Sequence, residues 1–194
     1  MDIFLETERL RLRRFTEGDL DLLVELDGDP EVMRYLTGGV PTTREQNEHV
    51  VLPRIIGCYD RFPGFGIFAT HGRDTGEFVG WFMFRPHRDR PDEVELGYRL
   101  RKAAWGKGYA TEGSLALVRY GFTGTGLAKV YAETMAVNAA SRRVMEKVGL
   151  RYESTFHPSW PDPIEGAVHG DVRYTLDRAE WNTASQRKNL QDLS

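Results

Sequence analysis

Apolar and polar residues alternate in several short runs in the first half of the chain, a pattern typical of β-strands with one buried face. The run "TERLRLRRF" places Leu10 and Leu12 on one side and arginines on the other. Further strand-like runs occur at 65–70, 76–86 and 94–100. The Asp74–Gly76 region favours a hairpin turn between two of them. The first half therefore predicts antiparallel strands.

Two segments between the first strand and this hairpin show helical spacing instead. "TEGDLDLLVELDGDP" offers Thr16 as a helix cap and Pro30 as the end of the segment. Its buried stripe is expected to consist of Leu20, Leu23 and Val24. "TTREQNEHVVLPRIIGCYDRF" predicts a second helix with an interruption at Pro53, because proline lacks a backbone N–H.

Helices and strands alternate in the second half of the chain. The predicted order is helix 110–122, strand 129–135, helix 139–148, strand 150–156 and strand 171–177. Antiparallel pairing followed by helix crossovers predicts a single-domain α/β fold with a mixed sheet. We expect the domain to cover 1–181 and the polar tail at 182–194 to fray.

Composition and charge narrow the possible partners. The 194 residues are 40% hydrophobic and 28% charged, which suits one globular domain. A formal charge of −3 argues against nucleic acid and acidic membranes, and the arginines at 9–14 fit a solvated strand face. The single cysteine, Cys58, excludes an internal disulfide, and we expect no metal. The acidic N-terminus and the lack of a ~20-residue apolar run predict a cytoplasmic protein.

The stretch "WGKGYAT" places two glycines and a lysine between a strand and a helix. Gly106 and Gly108 allow a sharp turn and close approach of a ligand to the backbone. The apolar positions of the helix are expected to be Leu115, Val118 and Phe122. The helix should begin near Tyr109 or Ala110, where unpaired N–H groups carry the positive end of the dipole. Phosphate would bind there beside Lys107, whereas the alternative is a glycine turn with a solvated lysine.

Two nucleotide motifs fit this stretch less well. A P-loop requires Ser or Thr after its lysine, but Lys107 is followed by Gly108. The dinucleotide fingerprint would have Thr111 in its third glycine position. A Rossmann unit would also begin with its strand and fingerprint instead of following a hairpin. A nicotinamide-dependent enzyme is therefore the weaker alternative.

The segment "VNAASRRVMEKVGL" predicts a short helix with Asn138 as its cap and Gly149 as its stop. Its buried stripe is expected to be Val144, Met145 and Val148. Ser141 lies on the same stripe, so its hydroxyl needs a partner, either the backbone one turn earlier or a ligand. Arg142 and Arg143 are expected to lie in solvent.

Taken together, "GYRLRKAAWGKGYATEG" and "VNAASRRVMEKVGLRYE" resemble the GNAT superfamily of acetyl-CoA-dependent N-acetyltransferases. The likeness is closest to its RimJ/RimL-like branch, which acetylates protein N-termini or small amines, and it runs from about Thr7 to Trp181. It implies a twisted, mostly antiparallel mixed sheet flanked by helices, with splayed central strands. It also implies acetyl-CoA as co-substrate, an amine acceptor and, for this branch, a homodimer.

The resemblance assigns the coenzyme A diphosphate to the loop between strand and helix. The implied residues are Trp105, Gly106, Lys107, Gly108, Tyr109, Ala110 and Thr111. Trp105 replaces the Gln or Arg of the general pattern, as is common in the RimJ/RimL-like branch. The preceding strand would pair with pantetheine through Gly97–Leu100, which brings Arg99 and Leu100 to the cofactor. Asn138 matches an asparagine that hydrogen-bonds pantetheine.

The resemblance also implies two aids to attack on the thioester. A β-bulge is predicted at Gly97, and an amide freed near Tyr98 or Arg99 would stabilise the oxyanion. Many superfamily members have a tyrosine acid where this chain has Met145, which cannot donate a proton. In the RimJ/RimL-like branch a serine takes the place near the thiol, and that serine is Ser141.

Attack also requires a neutral amine, so a base or a carboxylate acting through water must remove a proton. Glu93 and Glu95 share one strand face, and Glu95 is the first choice because it is closer to the expected thioester. Glu93, His169 and water are the alternatives.

The amine pocket is expected to include part of "FHPSWPDPIEGAVHGDVRY". Its candidate residues are His157, Trp160, Asp162, Glu165, His169 and Asp171. Acidic groups among them would favour a cationic amine. A non-catalytic acyl-CoA sensor is a second hypothesis, because Met145 stands in the place of the tyrosine acid.

Overall fold

The structure is a computed structural model that describes residues 3–159 and 164–191, with side chains described as far as residue 186. The strands in these residues are β1 (Ile3–Glu6), β2 (Leu10–Arg14), β3 (Gly66–Gly72), β4 (Phe78–Pro86), β5 (Glu93–Leu100), β6 (Lys129–Met135), β7 (Arg151–Phe156) and β8 (Asp171–Asp177). They form one sheet in the order β1-β2-β3-β4-β5-β6-β8-β7. Only β5 and β6 pair in parallel, which confirms the mixed, mostly antiparallel sheet.

The helices flank this sheet. They are α1 (Leu20–Asp27), α2 (Pro30–Thr37), α3 (Arg44–Gln46), α4 (Leu52–Arg61), α5 (Tyr109–Gly124), α6 (Ala139–Val148) and α7 (Arg178–Gln191). α1, α2 and α4 lie over the sheet face that carries Trp81 and Arg99. α5 lies over the opposite face, which carries Phe82 and Phe84. This arrangement confirms the predicted single-domain α/β architecture.

The two prolines act on the helices as predicted. α1 ends at Asp27, before Pro30, and Pro30 is then the first residue of α2, behind Asp29, whose side chain accepts a hydrogen bond from the Glu31 amide. Helical backbone runs from Arg44 to Arg61, and a π-helical turn at Asn47–Val51 interrupts its α-helical hydrogen bonding just before Pro53. Proline lacks the N–H that would continue the α-helical pattern, which fits the predicted interruption.

Two expectations about helices differ from the structure. Leu115 is 45% exposed, and the buried side of α5 is formed by Leu117, Val118 and Phe122 together with small residues. Residues 182–191, expected to fray, continue α7. No helix within 3–159 and 164–191 is long and apolar enough to cross a lipid bilayer.

Helix α5 approaches the sheet closely because two of its buried positions are glycine. A Cβ at Gly113 would lie 2.4 Å from the ring of Phe82, and one at Gly121 would lie 2.7 Å from the ring of Phe84. Real Cβ atoms do not come this near, so neither position accepts a side chain without a shift of the helix. This contact sets the height of the N-terminus of α5 above β4 and β5.

The central strands separate after a short parallel contact. Glu93–Glu95 of β5 pair with Lys129–Tyr131 of β6, although the two strands continue to Leu100 and Met135. We call the resulting gap, between 96–100 of β5 and 132–135 of β6, the β5–β6 wedge. It confirms the predicted splayed strands.

The bulge predicted at Gly97 is absent. Gly97 pairs with Met83 in a regular ladder, because β4 and β5 keep one register from Gly80↔Leu100 to Pro86↔Val94. Register irregularities occur in other strand pairs, at Ile3/Leu5, Thr70/His71 and Tyr152/Ser154. The wedge therefore arises from divergence of β5 and β6, without an extra residue in β5.

A buried ion pair holds β2 to the start of α1. The Arg13 guanidinium donates to both carboxylate oxygens of Asp19 at 2.7 Å, and each side chain is 10% exposed. Burial alone would raise the pKa of Asp19. Hydrogen bonds from Arg13 and Thr16 outweigh burial and lower that pKa below its ordinary value.

We expect Asp19→Asn to lower the free energy of unfolding at pH 7 by about 3 kcal/mol, because it leaves the Arg13 charge buried and unpaired. The folded-state pKa of Asp19 is lowered, so its contribution is present above the unfolded pKa of about 4 and is lost as pH falls through the folded value. Urea unfolding across pH checks both points. Asp21→Asn is the matched control, since this carboxylate is 81% exposed. Equal losses in the two variants would contradict the prediction.

Candidate functional site

The loop before α5 presents a row of unused backbone N–H groups. Gly106 (φ 72°) and Gly108 (φ 83°) are both left-handed, and Gly108 caps α5. Within the described part of the chain, no protein acceptor takes a hydrogen bond from the amides of residues 106–111. The first helix turn adds the positive end of its dipole, so the loop is suited to bind an anion such as a diphosphate.

Residues of the turn between β1 and β2 form hydrogen bonds with this loop and with the first turn of α5. The Arg9 guanidinium donates to the Glu112 carboxylate at 2.6 Å and to the Lys107 carbonyl at 3.0 Å, and it lies 4.9 Å from the centre of the Tyr109 ring. Thr7 Oγ1 and the Arg9 amide donate to the other Glu112 oxygen at 2.6 and 2.9 Å. We call Thr7, Arg9 and Glu112 the loop clamp.

The loop clamp has an electrostatic role. Burial alone would raise the pKa of Glu112, but the hydrogen bonds from Thr7 and Arg9 lower it. Glu112 is therefore a firmly ionised carboxylate one turn into a helix whose start is suited to an anion. Pairing with Arg9 neutralises it and turns its oxygens toward β1 and β2, which limits repulsion of the anion.

The backbone of β5 has one side free along the wedge. The Glu93 carbonyl accepts a hydrogen bond from the His87 amide, and the Arg101 amide donates to the Val79 carbonyl. Since hydrogen-bonded positions alternate along an antiparallel pair, the odd-numbered residues from 93 to 101 direct their backbone groups toward β4. Leu96, Tyr98 and Leu100 direct theirs into the wedge. The Leu100 carbonyl already accepts from the Trp105 indole at 2.8 Å.

This alternation distinguishes the Tyr98 and Arg99 amides, which were the two alternatives for the oxyanion. The Arg99 amide pairs with β4 opposite Trp81 and is not free for an oxyanion, whereas the Tyr98 amide faces the wedge. The Arg99 side chain points to the opposite sheet face, where it binds Asp27 at 2.6 Å.

Tyr98 and Ser141 form a hydroxyl pair beside the wedge. The Tyr98 phenol oxygen lies 3.0 Å from Ser141 Oγ and 3.1 Å from the Ser141 carbonyl oxygen, so its single proton can be donated to either of them. Asn138 caps α6 as predicted, since its side chain accepts from the Ser141 amide at 3.2 Å and donates to Thr134. The partner of the Ser141 hydroxyl is therefore a tyrosine on β5 and not the backbone one turn earlier.

This pair stays protonated at neutral pH. Burial raises the pKa of Tyr98 to about 12, against the opposing effect of its hydrogen bond with Ser141. A neutral phenol and a serine hydroxyl can both donate hydrogen bonds to a developing thiolate. Met145, at the position of the superfamily's tyrosine acid, is buried in the core.

Arg142, expected in solvent, is partly buried and bonded. Its guanidinium donates to the Tyr174 phenol and to the Ala136 carbonyl, each at 3.1 Å. These bonds join the first turn of α6, near Asn138 and Ser141, to β8 and to the end of β6. Arg143 is exposed, as predicted.

Several carboxylates lie on the sheet face that carries Trp81 and Arg99, around the last paired residues of β5 and β6. Glu95 accepts from Arg85 at 3.0 Å and pairs in register with Tyr131. Glu93 accepts from Arg90 at 2.9 Å and from Arg173 at 3.3 Å. Two arginines thus hold Glu93, which leaves Glu95 as the better placed of the two predicted bases.

Glu133 is a candidate base that the sequence analysis missed. It follows Tyr131 by two residues in β6, so it lies on the face that carries Glu95 and beside the wedge. Burial raises its pKa; Arg173 opposes this effect and Glu95 adds to it. The alternation of Tyr131 and Glu133 in "KVYAETM" was the available signal.

A large cavity opens on this face between the sheet and α4. We call it the α4 cavity; its volume is about 1320 Å³. Its sheet side is formed by Trp81, Met83, Arg85, Glu95, Arg99 and Tyr131. Glu95 thus lines the cavity, on the sheet face opposite the side chain of Tyr98.

The predicted amine-pocket residues lie mostly elsewhere. Trp160 and Asp162 lie outside the described residues. Glu165 contacts Arg34 at 3.6 Å, and His169 is exposed at the end of a short 3₁₀ turn beside β8. Burial raises the pKa of Asp171, and a nearby exposed histidine, His157, partly opposes this. None of the described candidates lines the α4 cavity.

Similarities to known proteins cover most of the chain. Residues 9–151 match the family model described as an acetyltransferase (GNAT) domain. A curated relative from Aspergillus fumigatus, FsC-acetyl coenzyme A-N(2)-transacetylase, is 39% identical over 184 residues, covering 91% of this chain and 77% of its own length. A GNAT-family acetyltransferase structure from Bacillus anthracis has a TM-score of 0.74 at 27% identity, with 93% of this chain and all of that one covered.

A further structure shows the same fold at lower identity. It is RimL, a ribosomal L7/L12 alpha-N-protein acetyltransferase in complex with coenzyme A, with a TM-score of 0.75 at 18% identity and 91% and 98% coverage. The extent of the family match and the identity to the fungal relative decide the question of family. The chain belongs to the GNAT acetyltransferase family and is an N-acetyltransferase.

Proposed function

We propose that the protein transfers the acetyl group of acetyl-CoA to a primary amine by direct attack in a ternary complex, as a RimJ/RimL-like member of the family. The observation that carries this proposal is the row of unpaired amides at 106–111, at the open end of the β5–β6 wedge. A diphosphate held there would direct the pantetheine arm along the free backbone of β5.

Each cofactor residue has a place in this arrangement. The diphosphate binds the amides from Gly106 to Thr111, and Lys107 adds a positive charge. The indole of Trp105 holds the Leu100 carbonyl, which shapes the wedge entrance. Asn138 lies at the far side of the wedge, within reach of a pantetheine amide. Arg99 contributes through its bond to Asp27 and not by direct cofactor contact.

The chemistry then uses both faces of the sheet. The amine nitrogen, from the side of Glu95, attacks the thioester carbonyl carbon, and the Tyr98 amide donates to the oxyanion. The C–S bond breaks, and Ser141 supplies a proton or hydrogen bond to the leaving sulfur, with Tyr98 donating to Ser141. The amine proton passes to Glu95, directly or through water. No acyl-enzyme is formed.

The two candidate bases can be distinguished by matched amide variants. We expect Glu95→Gln to lower kcat/KM by about a hundredfold, because it removes the group that accepts the amine proton. Glu133→Gln is expected to lower kcat/KM by less than about tenfold, because Glu95 remains in place. Glu77→Gln, at an exposed position, is the control. A hundredfold loss in Glu133→Gln alone would assign the base to Glu133.

The acceptor is either a protein N-terminus or a small-molecule amine. The fungal relative at 39% identity is named an acetyl coenzyme A-N(2)-transacetylase, which supports transfer of an acetyl group to a nitrogen atom and leaves both acceptor classes to be tested. We also expect a cytoplasmic location and a homodimer.

An amine-acceptor screen with a thiol-release readout tests the proposed function. Release of coenzyme A that depends on an added amine is the expected result. Tight acetyl-CoA binding without amine-dependent release from any acceptor would favour a sensor instead. Competition binding between coenzyme A and NAD tests the loop assignment, and preferential binding of NAD would overturn it.

A further inference from the structure

The α4 cavity has a charge that differs from that of the whole chain. Five arginines and two carboxylates line it, whereas the protein carries a formal charge of −3. The two carboxylates are already paired, Glu95 with Arg85 at 3.0 Å and Asp27 with Arg99 at 2.6 Å. The positive charge of this cavity therefore comes from the remaining three arginines.

These three are Arg54, Arg61 and Arg88. Among the described residues, none of them has a carboxylate within ion-pair distance. Arg54 and Arg61 lie seven residues apart in the same helix, so they project from one side of α4. Arg88 follows β4, across the cavity. All three line the same space as Glu95.

On its cavity side, α4 carries small residues between Arg54 and Arg61. Gly57 and Cys58 lie between them on the cavity side, and a Cβ at Gly57 would have no neighbour within 4 Å. A ligand can therefore pass close to the α4 backbone while its polar end reaches a guanidinium. Arginine binds carboxylate and phosphate in two parallel hydrogen bonds, which suits such a site to an acidic group.

We propose that the amine acceptor also carries an acidic group, which binds Arg54, Arg61 and Arg88 while its amine lies toward Glu95. This inference rests on the proposed function, because it assigns the α4 cavity to the acceptor. It reverses the expectation of a cationic amine: a polyamine would bring its second positive charge against three arginines, whereas an amino acid or an acidic peptide would complement them.

The charge of the cavity can be measured without any substrate. Cys58 is the only cysteine and lines the cavity, so its reaction with methanethiosulfonate reagents reports the local potential. We expect the anionic sulfonatoethyl reagent to react about tenfold faster than the cationic trimethylammonium reagent, each relative to a small free thiol, at low salt. The ratio should fall toward one in the triple variant Arg54→Gln/Arg61→Gln/Arg88→Gln.

Arg119→Gln is the matched control, because this arginine is exposed on α5, over the other face of the sheet. It should leave the ratio unchanged. Retained acetyl-CoA binding shows that the triple variant is folded. Faster reaction of the cationic reagent in the wild type, or the same ratio in the triple variant and the wild type, would overturn the inference.

A matched acceptor panel then tests the substrate class. It compares an α,ω-diamino acid, its neutral amide and the corresponding polyamine, together with short peptides that have an acidic or a neutral second residue. We expect kcat/KM about tenfold higher for the acidic member of each set, and the arms show whether a free amino acid or a peptide is preferred. The acid-to-amide ratio should fall in the triple variant.

The outcomes separate the inference from the proposed function. Acetylation of the amide or polyamine in preference to the acid would overturn the acidic acceptor and leave N-acetyl transfer intact. Absence of transfer to every amine would count against the proposed function, while the Cys58 labelling ratio would still decide the charge of the cavity.

Discussion

Gly108→Val is expected to weaken acetyl-CoA binding by at least about thirtyfold, with a smaller effect on kcat. Gly108 has a φ of 83°, where a β-branched residue costs ~2 kcal/mol. We expect the free loop to relax away from this conformation, so that binding must restore it, and ~2 kcal/mol corresponds to about thirtyfold in affinity. A Cβ there would also lie 3.3 Å from the Arg9 guanidinium, so the loop clamp would be displaced as well. Both effects move the amides that we assign to the diphosphate.

Calorimetric titration with coenzyme A measures this loss, and steady-state kinetics separates KM from kcat. Gly126→Val is the matched control, because its φ is not left-handed and a Cβ there would have no neighbour within 4 Å. The control should bind coenzyme A as the wild type does. Unaltered affinity in Gly108→Val would show that the diphosphate binds elsewhere.

Ser141→Ala is expected to lower kcat at least tenfold with little change in acetyl-CoA affinity, because its hydroxyl acts on the leaving sulfur. Tyr98→Phe should have a similar effect, since its phenol lies 3.0 Å from Ser141 Oγ and keeps a pKa near 12. If the two hydroxyls act as one donor chain, the double variant will be close to the slower single variant.

Single-turnover kinetics measures the chemical step for this pair. Tyr152→Phe removes an exposed phenol that, among the described residues, bonds only Thr155, and it serves as the control for the loss of a tyrosine hydroxyl. Unchanged turnover in Ser141→Ala would remove Ser141 from the mechanism. Independent, multiplicative losses in the two single variants would show that Tyr98 and Ser141 act separately.

The local pattern of apolar and polar residues was sufficient to predict most of the fold. Strand alternation, as in Leu10 and Leu12, depends only on neighbours in sequence, and the structure confirms every predicted strand. The helix α2 was missed, because a proline such as Pro30 can begin a helix as well as follow the end of one. The predicted bulge at Gly97 failed for a related reason: a glycine in a strand permits a bulge without requiring one.

The backbone geometry of the proposed site could be predicted where its parts are contiguous in the chain. The loop at 105–111 and the cap at Asn138 each lie within a short segment whose backbone geometry follows from its glycines or its cap. The loop clamp, the Tyr98–Ser141 pair and the charge of the α4 cavity were not predictable in this way. They join residues from distant elements, and their geometry depends on strand order and helix packing.

The loop clamp links the order of chain synthesis to assembly of the coenzyme site. Arg9 and Glu112 are 103 residues apart, so this contact closes only after the hairpin at one end and the helix at the other have both formed. Such non-local contacts raise contact order and slow folding. The linkage is also reciprocal: an anion bound at the loop stabilises the β1–β2 hairpin by mass action, and amide hydrogen exchange in β1 would slow in its presence.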